Sequence, residues 1–321
     1  MSAGGGDSRP RWREVGGPVG RLPTGERNSI ADVPGVRVGH SQSVGGERSG
    51  VTVIDPGRLP APAGTATVNG AGELVSSLEI MERGRIETPI YLCGTHALGT
   101  VTQAAIEASG RGPDHVVIPT VGECDDGDMA DSRRIVAEDV EAARAALREE
   151  VAEGTVGAGT GMFCYGYPGG IGTASRRVGE HHVGVLLLCN FGERPYLDLF
   201  KGLDGIEHPD PPPPQGSCIA VCATDVPLDP HQLRRLALRP LLGLARTGSY
   251  GSDGSGEIAL AFGVGPSEGV SDELIDQCFA AAYEAAWESV YNCLVAAEPA
   301  RRLNGEMQDR FPLERVVEIG R

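Results

Sequence analysis

An α+β architecture, with helices layered against sheets, is what this sequence predicts, and three features of its patterning point there. Short runs of β-branched and small apolar residues, bounded by Gly and Pro, recur from Val36 to Phe262. Four longer stretches carry apolar residues at helical spacing. The two kinds of segment alternate without a regular strand–helix–strand rhythm, which favours α+β layers over a doubly wound parallel sheet.

Taken in order, residues 1–27 combine Gly, Pro and Arg and read as a flexible, surface-draped arm with Trp12 as its pin, ahead of a single domain over 28–321. Val36–Val38, Val51–Ile54, Ala66–Val68 and Ile90–Cys93 are short apolar runs, hence strands. Past Thr95 and His96 the period changes, and Leu98, Val101, Ala105 and Ile106 share one helical face. Val116–Ile118 reads as another strand and 120–133 as a polar loop. Over about residues 137–151 Val140, Ala143 and Leu147 recur at helical spacing, and Glu138, Asp139 and Glu141 suit the positive end of the helix dipole. Strands return at Val183–Cys189 and Ile219–Ala223. Between them lies Pro209-Asp210-Pro211-Pro212-Pro213-Pro214, a stiff connector that cannot continue a sheet. Asp229-Pro230 opens a helix to about residue 245. Ile258–Phe262 is a buried strand. Ser271, followed by Asp272 and Glu273, caps a last helix to about Ala297, with Leu274, Cys278, Ala281, Ala282 and Ala285 on its inner stripe.

The formal charge is −16, from 28 Lys plus Arg against 44 Asp plus Glu. Nucleic acids and anionic membranes need basic patches, so neither is an expected partner, whereas an amine-bearing ligand is compatible. No stretch approaches 18 uninterrupted apolar residues and no secretory apolar core follows Met1, so no membrane span is expected. Most of the eight cysteines sit in apolar runs such as Cys218 to Cys222, where a thiol behaves as a small hydrophobe; a reducing cytoplasm is the expected compartment.

The chemistry-bearing stretch is Gly251-Ser252-Asp253-Gly254-Ser255-Gly256-Glu257, running straight into the Ile258 strand. Taken by themselves, these residues favour an ordinary Gly-rich turn before a core strand. The other reading is a self-cleaving bond. Gly254 and Gly256 let the backbone bend so that the Ser255 hydroxyl attacks the Gly254 carbonyl. The freed Ser255 would carry an α-amine of pKa about 7.7–8.0 beside its own hydroxyl, a general base matched to neutral pH. Asn190 ends an apolar run, and its amide needs partners. It either caps Phe191 and Gly192 or donates into an oxyanion hole. The Gly157–Gly161 and Gly169–Gly172 clusters match neither a dinucleotide fingerprint nor a phosphate loop, so they read as tight turns lining a pocket. No cysteine or histidine pair has zinc-site spacing, so neither metal nor cofactor is expected.

Nine segments in order carry a resemblance: NSIADVPGVRVGH (28–40), RSGVTVIDP (48–56), PAPAGTATVNGAGE (60–73), GTHALG (94–99), VGAGTGM (156–162), GGIGTASR (169–176), VGVLLLCNFG (183–192), ATDVPL (223–228) and ARTGSYGSDGSGEIALAF (245–262). Together they resemble the DmpA-type family of self-processing hydrolases, the L-aminopeptidase/D-Ala-esterase and β-peptidyl aminopeptidase group. The resemblance implies a four-layer αββα sandwich, assembly as a homotetramer, and a cut between Gly254 and Ser255 into residues 1–254 and 255–321. It implies Ser255 as nucleophile, Asn190 as oxyanion donor and Glu288 as the acid that orients the freed amine. The substrate implied is a small peptide or amide with a free amino end. Its ammonium would meet Glu123, Asp126 or Asp128, with Gly159 and Gly161 lining the pocket. Two positions depart from the family pattern. Asp128 stands where an oxyanion tyrosine is expected, and Ala286 where a serine precedes Glu288. Two other functions stay open: an impaired family member that only binds an amine ligand or partner, and an acyl transferase that forms amides.

Overall fold

Apolar side chains that alternate along a strand can be buried on both faces only if something covers each face, and that requirement organises the computed structural model, which describes residues 10–42, 49–127, 129–201 and 215–319. In chain order its first elements are α1 (Trp12–Val15), β1 (Arg37–Gln42), β2 (Gly50–Asp55), β3 (Ala61–Gly70), β4 (Leu74–Val75), α2 (Ser77–Arg83), β5 (Arg85–Ile86) and β6 (Ile90–Gly94). Then come α3 (Leu98–Ala108), β7 (Thr120–Cys124), α4 (Ala137–Ala145), the small hairpin β8 (Phe163–Cys164) and β9 (Tyr167–Pro168), β10 (Gly170–Val178) and β11 (His181–Asn190). The last third holds β12 (Gln215–Thr224), α5 (Pro230–Arg246), β13 (Gly254–Gly263), α6 (Asp272–Ala296), the pair β14 (Ala300–Arg301) and β15 (Met307–Gln308), and α7 (Leu313–Ile319).

Two sheets form, ordered β1-β2-β6-β7-β4 and β10-β11-β12-β13-β3-β5. Strand alternation sets the layers. On β11, Val183, Val185, Leu187 and Cys189 join a core shared with α5 and α6, while Leu186 and Leu188 join a second core between the sheets with Ile54, Leu92 and Phe262. On β2, Val51 and Val53 turn outward to a third core under α3 and α4, and Ile54 turns inward. The order is helix, sheet, sheet, helix: the expected αββα sandwich. Close layer contact needs missing side chains. A Cβ on Gly172 of β10 would lie 2.0 Å from the Ser289 carbonyl of α6, and one on Gly64 of β3 would lie 2.2 Å from the Arg234 amide nitrogen of α5.

Three expectations need correction. Val116–Ile118 is not a strand: Val116 is 82 % exposed, and the strand is Thr120–Cys124, within the stretch expected to be loop. Pro119 lies between them and has no N–H to give a ladder. Thr120–Cys124 instead pairs in parallel with β6 and buries Val121. The helix expected to reach about 151 stops at Ala145, because Arg148 leaves it to pair with Val38 at the edge of β1. Residues 10–27 drape over the domain rather than hang free, with Trp12 as their pin, as expected. Trp12 is buried against Tyr291, with ring centroids 4.8 Å apart, and its backbone N–H donates to Asn292 Oδ1. The tract 209–214 and Asp128 lie outside the described residues. No described helix is long and apolar enough to cross a membrane.

Candidate active site

Ser255 is the second residue of β13, which runs parallel to β12 and antiparallel to β3 in the middle of the second sheet. Flanked by Gly216 on one side and the β3 end on the other, its side chain is 4 % exposed. The Ser255 hydroxyl donates to Oε1 of Glu257, two residues along and therefore on the same face of the strand. Burial pushes the Glu257 carboxyl above its usual range, and its Oε2 is buried with no hydrogen-bond partner among the described residues. The turn ahead of Ser255 is held from β3: Asn69 Nδ2 donates to the carbonyls of Ser252, Asp253 and Ser255.

Asn190 ends β11 opposite Ser217 of β12. Gly216 lies between it and the serine. A Cβ there would fall 2.8 Å from the Asn190 backbone carbonyl and 3.2 Å from Ser255 Oγ, so only a glycine leaves these groups room on either side of it. The Asn190 amide is satisfied on both ends: Oδ1 accepts from the Phe163 N–H at 2.9 Å, and Nδ2 donates to the Asp125 carbonyl at 2.7 Å. Its other contact, to Ser217 Oγ, is long at 3.4 Å. An amide has two N–H donors, so the loosely held one is available to an oxyanion.

The acidic turn splits by role. Glu123, on β7, is 5 % exposed; it accepts from the Glu73 N–H and from the Thr95 hydroxyl. It reaches β13 across Gly72, on the Gly256–Ile258 side, whereas Ser255 and Glu257 alternate onto the other face. Asp126 is turned inward to Ser132 Oγ (2.9 Å) and Ser49 Oγ (3.2 Å), and burial raises its pKa to about 6. That carboxylate is spent on Ser132 of its own loop and Ser49 ahead of β2, which corrects its expected place opposite a substrate ammonium.

Gly159 and Gly161 do not line the cleft in front of Ser255. A Cβ on Gly159 would meet the Gly154 carbonyl, the Ile171 amide and Gly170 Cα within 2.8 Å, and Gly161 is buried at φ +96°. These glycines serve close backbone packing behind β10. Their segment touches the site through Phe163, which holds Asn190, and through Tyr165, whose ring packs against Gly192 of the cleft.

Glu288 is also elsewhere. Fully buried on α6, it binds Arg176 Nη2 at 2.8 Å, Arg13 Nε at 2.8 Å and Asn28 Nδ2 at 2.5 Å. Arg176 is itself fully buried and also contacts Glu284 at 3.2 Å. The carboxylate is thus the hub of an ion cluster tying α6 to β10 and to the N-terminal segment, not the partner of Ser255. Two residues that do meet the serine segment, Glu257 and Asn69, were missed. The signal for Glu257 was its i+2 spacing on a strand; Asn69 gave none, because its contacts come from chain 183–186 residues away.

The cleft in front of Ser255 is lined by Gly192, Glu193, Gly248, Ser249, Tyr250, Gly251, Ser252 and Ser255 and holds about 20 Å³, room for roughly one water. Tyr250 closes it, donating to Glu193 and stacking edge-on against Tyr196 at 5.2 Å. Beneath, the Sγ atoms of Cys164, Cys189 and Cys293 lie within 4.8 Å of one another. They form the described cluster with the reach to hold a soft metal ion. Burial keeps the Cys164 and Cys189 thiols protonated, and all three belong to the apolar core under α6.

Comparison with known proteins agrees with this geometry. The chain is 36 % identical over 356 residues to the β-peptidyl aminopeptidase BapA of Sphingosinicella microcystinivorans, covering 94 % of this chain and 90 % of that one. Among solved structures, a Burkholderia sp. β-aminopeptidase superposes with a TM-score of 0.88 at 34 % identity, over 96 % of this chain and 98 % of that one. The L-aminopeptidase D-Ala-esterase/amidase of Ochrobactrum anthropi, described as a prototype serine aminopeptidase and a variant of the Ntn hydrolase fold, superposes with a TM-score of 0.85 at 31 % identity, over 97 % and 99 % of the two chains. Residues 28–308 match the family described as peptidase family S58, and with its αββα layers and its serine at the head of the central strand the chain belongs to that family of aminopeptidases.

Proposed function

We propose that this chain cuts its own Gly254–Ser255 bond, and that the exposed Ser255 then hydrolyses small peptides or amides bearing a free amino end. The observation that carries the reading is the narrow cleft. Residues 248–252, just ahead of the bond, line the space in front of the Ser255 hydroxyl and leave room for about one water. Cutting there frees the loop from the strand and gives the hydroxyl an adjacent amine as base. In turnover, Ser255 Oγ attacks the scissile carbonyl and passes its proton to its own amine. Asn190 Nδ2 holds the oxyanion, the amine protonates the leaving group, and water resolves the ester. With the chain cut ahead of Ser255, β13 begins at that residue, and a substrate passing round its free end meets Glu123, buried next to Gly72 on the other face, as the negative charge for its ammonium. The names of the relatives, β-peptidyl aminopeptidase and L-aminopeptidase, support the requirement for a free amino end.

The two pieces stay together. Residues 255–321 supply β13, hydrogen-bonded on both sides, and α6, whose Ala281, Ala285, Val290 and Leu294 lie in the largest core. The working unit is a homotetramer of such cut subunits in the cytoplasm. Intact mass of purified protein tests the reading. Fragments ending at Gly254 and starting at Ser255 are expected for the wild type, and one uncut, inactive chain for Ser255→Ala. An uncut wild type with full peptidase activity would end it.

A further inference from the structure

We propose that Glu257 is the general base that starts the self-cleavage, a role separate from that of the amine in later turnover. The inference rests on the reading of Ser255 above and answers a question that reading leaves open. Before the cut, the Ser255 nitrogen is an amide whose lone pair is delocalised, so it cannot take a proton. Some other group must activate the hydroxyl the first time.

The strand supplies one. Glu257 follows Ser255 at the two-residue period, so both side chains stand on one face of β13, and the hydroxyl donates directly to Glu257 Oε1. The glutamate is 3 % exposed, and its Oε2 is buried without a partner among the described residues. A buried carboxylate oxygen left unpaired costs free energy, and a catalytic role is one of the few reasons a native structure keeps one. Burial also raises its basicity above that of an ordinary carboxylate, which suits it to take a proton from a hydroxyl. Asn69 fixes the carbonyls of Ser252, Asp253 and Ser255, on either side of the Gly254 carbonyl that must be attacked.

The step balances without a co-reactant other than water. The Ser255 Oγ proton passes to Glu257 as the Oγ–C bond to Gly254 forms. The C–N bond then breaks, and the same proton goes from Glu257 to the departing Ser255 nitrogen. The product is an ester of Gly254 on Ser255 Oγ, with a free amine beside it. Water adds to the ester, releasing the Gly254 carboxyl and restoring the hydroxyl. The freed amine then takes over as the base of later turnover.

The test follows the uncut-to-cut conversion by intact mass from the moment of purification, in wild type, Glu257→Gln, Glu257→Asp and Glu257→Ala, with thermal melting of each. Glu257→Gln keeps the shape of the side chain and is expected to fold, yet to process at least about 100-fold more slowly, the usual size of a general-base contribution. Formate added to Glu257→Ala is expected to restore cutting, a response that loss of a structural contact does not give. If the glutamine variant does not fold, the aspartate variant decides. Its carboxylate is drawn back from Ser255 Oγ, and slowing of about 10–100-fold is expected. Wild-type processing rates in folded Glu257→Gln, or in Glu257→Asp if that variant alone folds, overturn this proposal and leave the Ser255 reading intact. A wild type that never cuts, or a Ser255→Ala variant that does, overturns the reading beneath it.

Discussion

Glu288→Ala separates a structural carboxylate from a catalytic one. Removing this side chain strips Arg176, fully buried, of its 2.8 Å partner, and leaves Arg13 Nε and Asn28 Nδ2 without their acceptor. Arg176 keeps only Glu284 at 3.2 Å and backbone carbonyls. Breaking a buried pair from one side typically costs about 3–5 kcal/mol, because the remaining charge stays desolvated. In a chain of this size that corresponds to a fall in melting temperature of roughly 5–10 °C. Differential scanning calorimetry reads the stability, and turnover of a small peptide amide with a free amino end, at 20 °C below the variant's own midpoint, reads the chemistry. The expected result is a large loss of stability with kcat of the folded protein within about threefold of wild type. A variant that melts like wild type but has lost more than about 100-fold in kcat would show that Glu288 acts on the reaction and that its ion cluster is incidental.

Two further outcomes are expected. Asn190→Ala should lower kcat by about 10²–10³ with KM little changed, as for loss of an oxyanion donor, while costing about 1–3 kcal/mol for the orphaned Phe163 N–H; equal turnover in steady-state assays would remove Asn190 from the mechanism. Asp126→Asn should flatten the pH dependence of stability. The folded pKa of Asp126 is raised to about 6 against 3.8, so the folded state holds this proton more tightly than the unfolded chain. Wild type therefore loses stability as pH rises from about 4 to 6, on the order of 3 kcal/mol. The asparagine variant, which can accept from one of the two serines through Oδ1 and donate to the other through Nδ2, should lack that slope in urea melts at pH 4, 5, 6 and 7.

Local patterning was enough for what depends on period and punctuation. The strands at Val51–Ile54, Val183–Cys189, Ile219–Ala223 and Ile258–Phe262 lie within observed strands, and Asp229-Pro230 and Ser271 cap their helices as their side chains dictate. Each is a statement about neighbours in the chain. The Gly-Ser-Gly triplet, read as a turn ahead of a strand starting at Ile258, is instead the first part of that strand, which begins at Gly254.

Partner choice across the fold was not legible, because it depends on which distant groups the layers press together. A buried acid on α6 reads the same whether it faces a serine or an arginine. Only the packing of α6 on β10 put Glu288 against Arg176 and Arg13 rather than against Ser255. The same holds for Asn69, drawn to the serine turn by the pairing of β3 with β13, and for Asp126, folded back onto Ser132. A run of residues determines which element forms and which face is apolar, because those follow from torsions and side-chain period. Which charge meets which is decided by desolvation in the assembled core, where each buried polar group takes the nearest partner the tertiary structure offers.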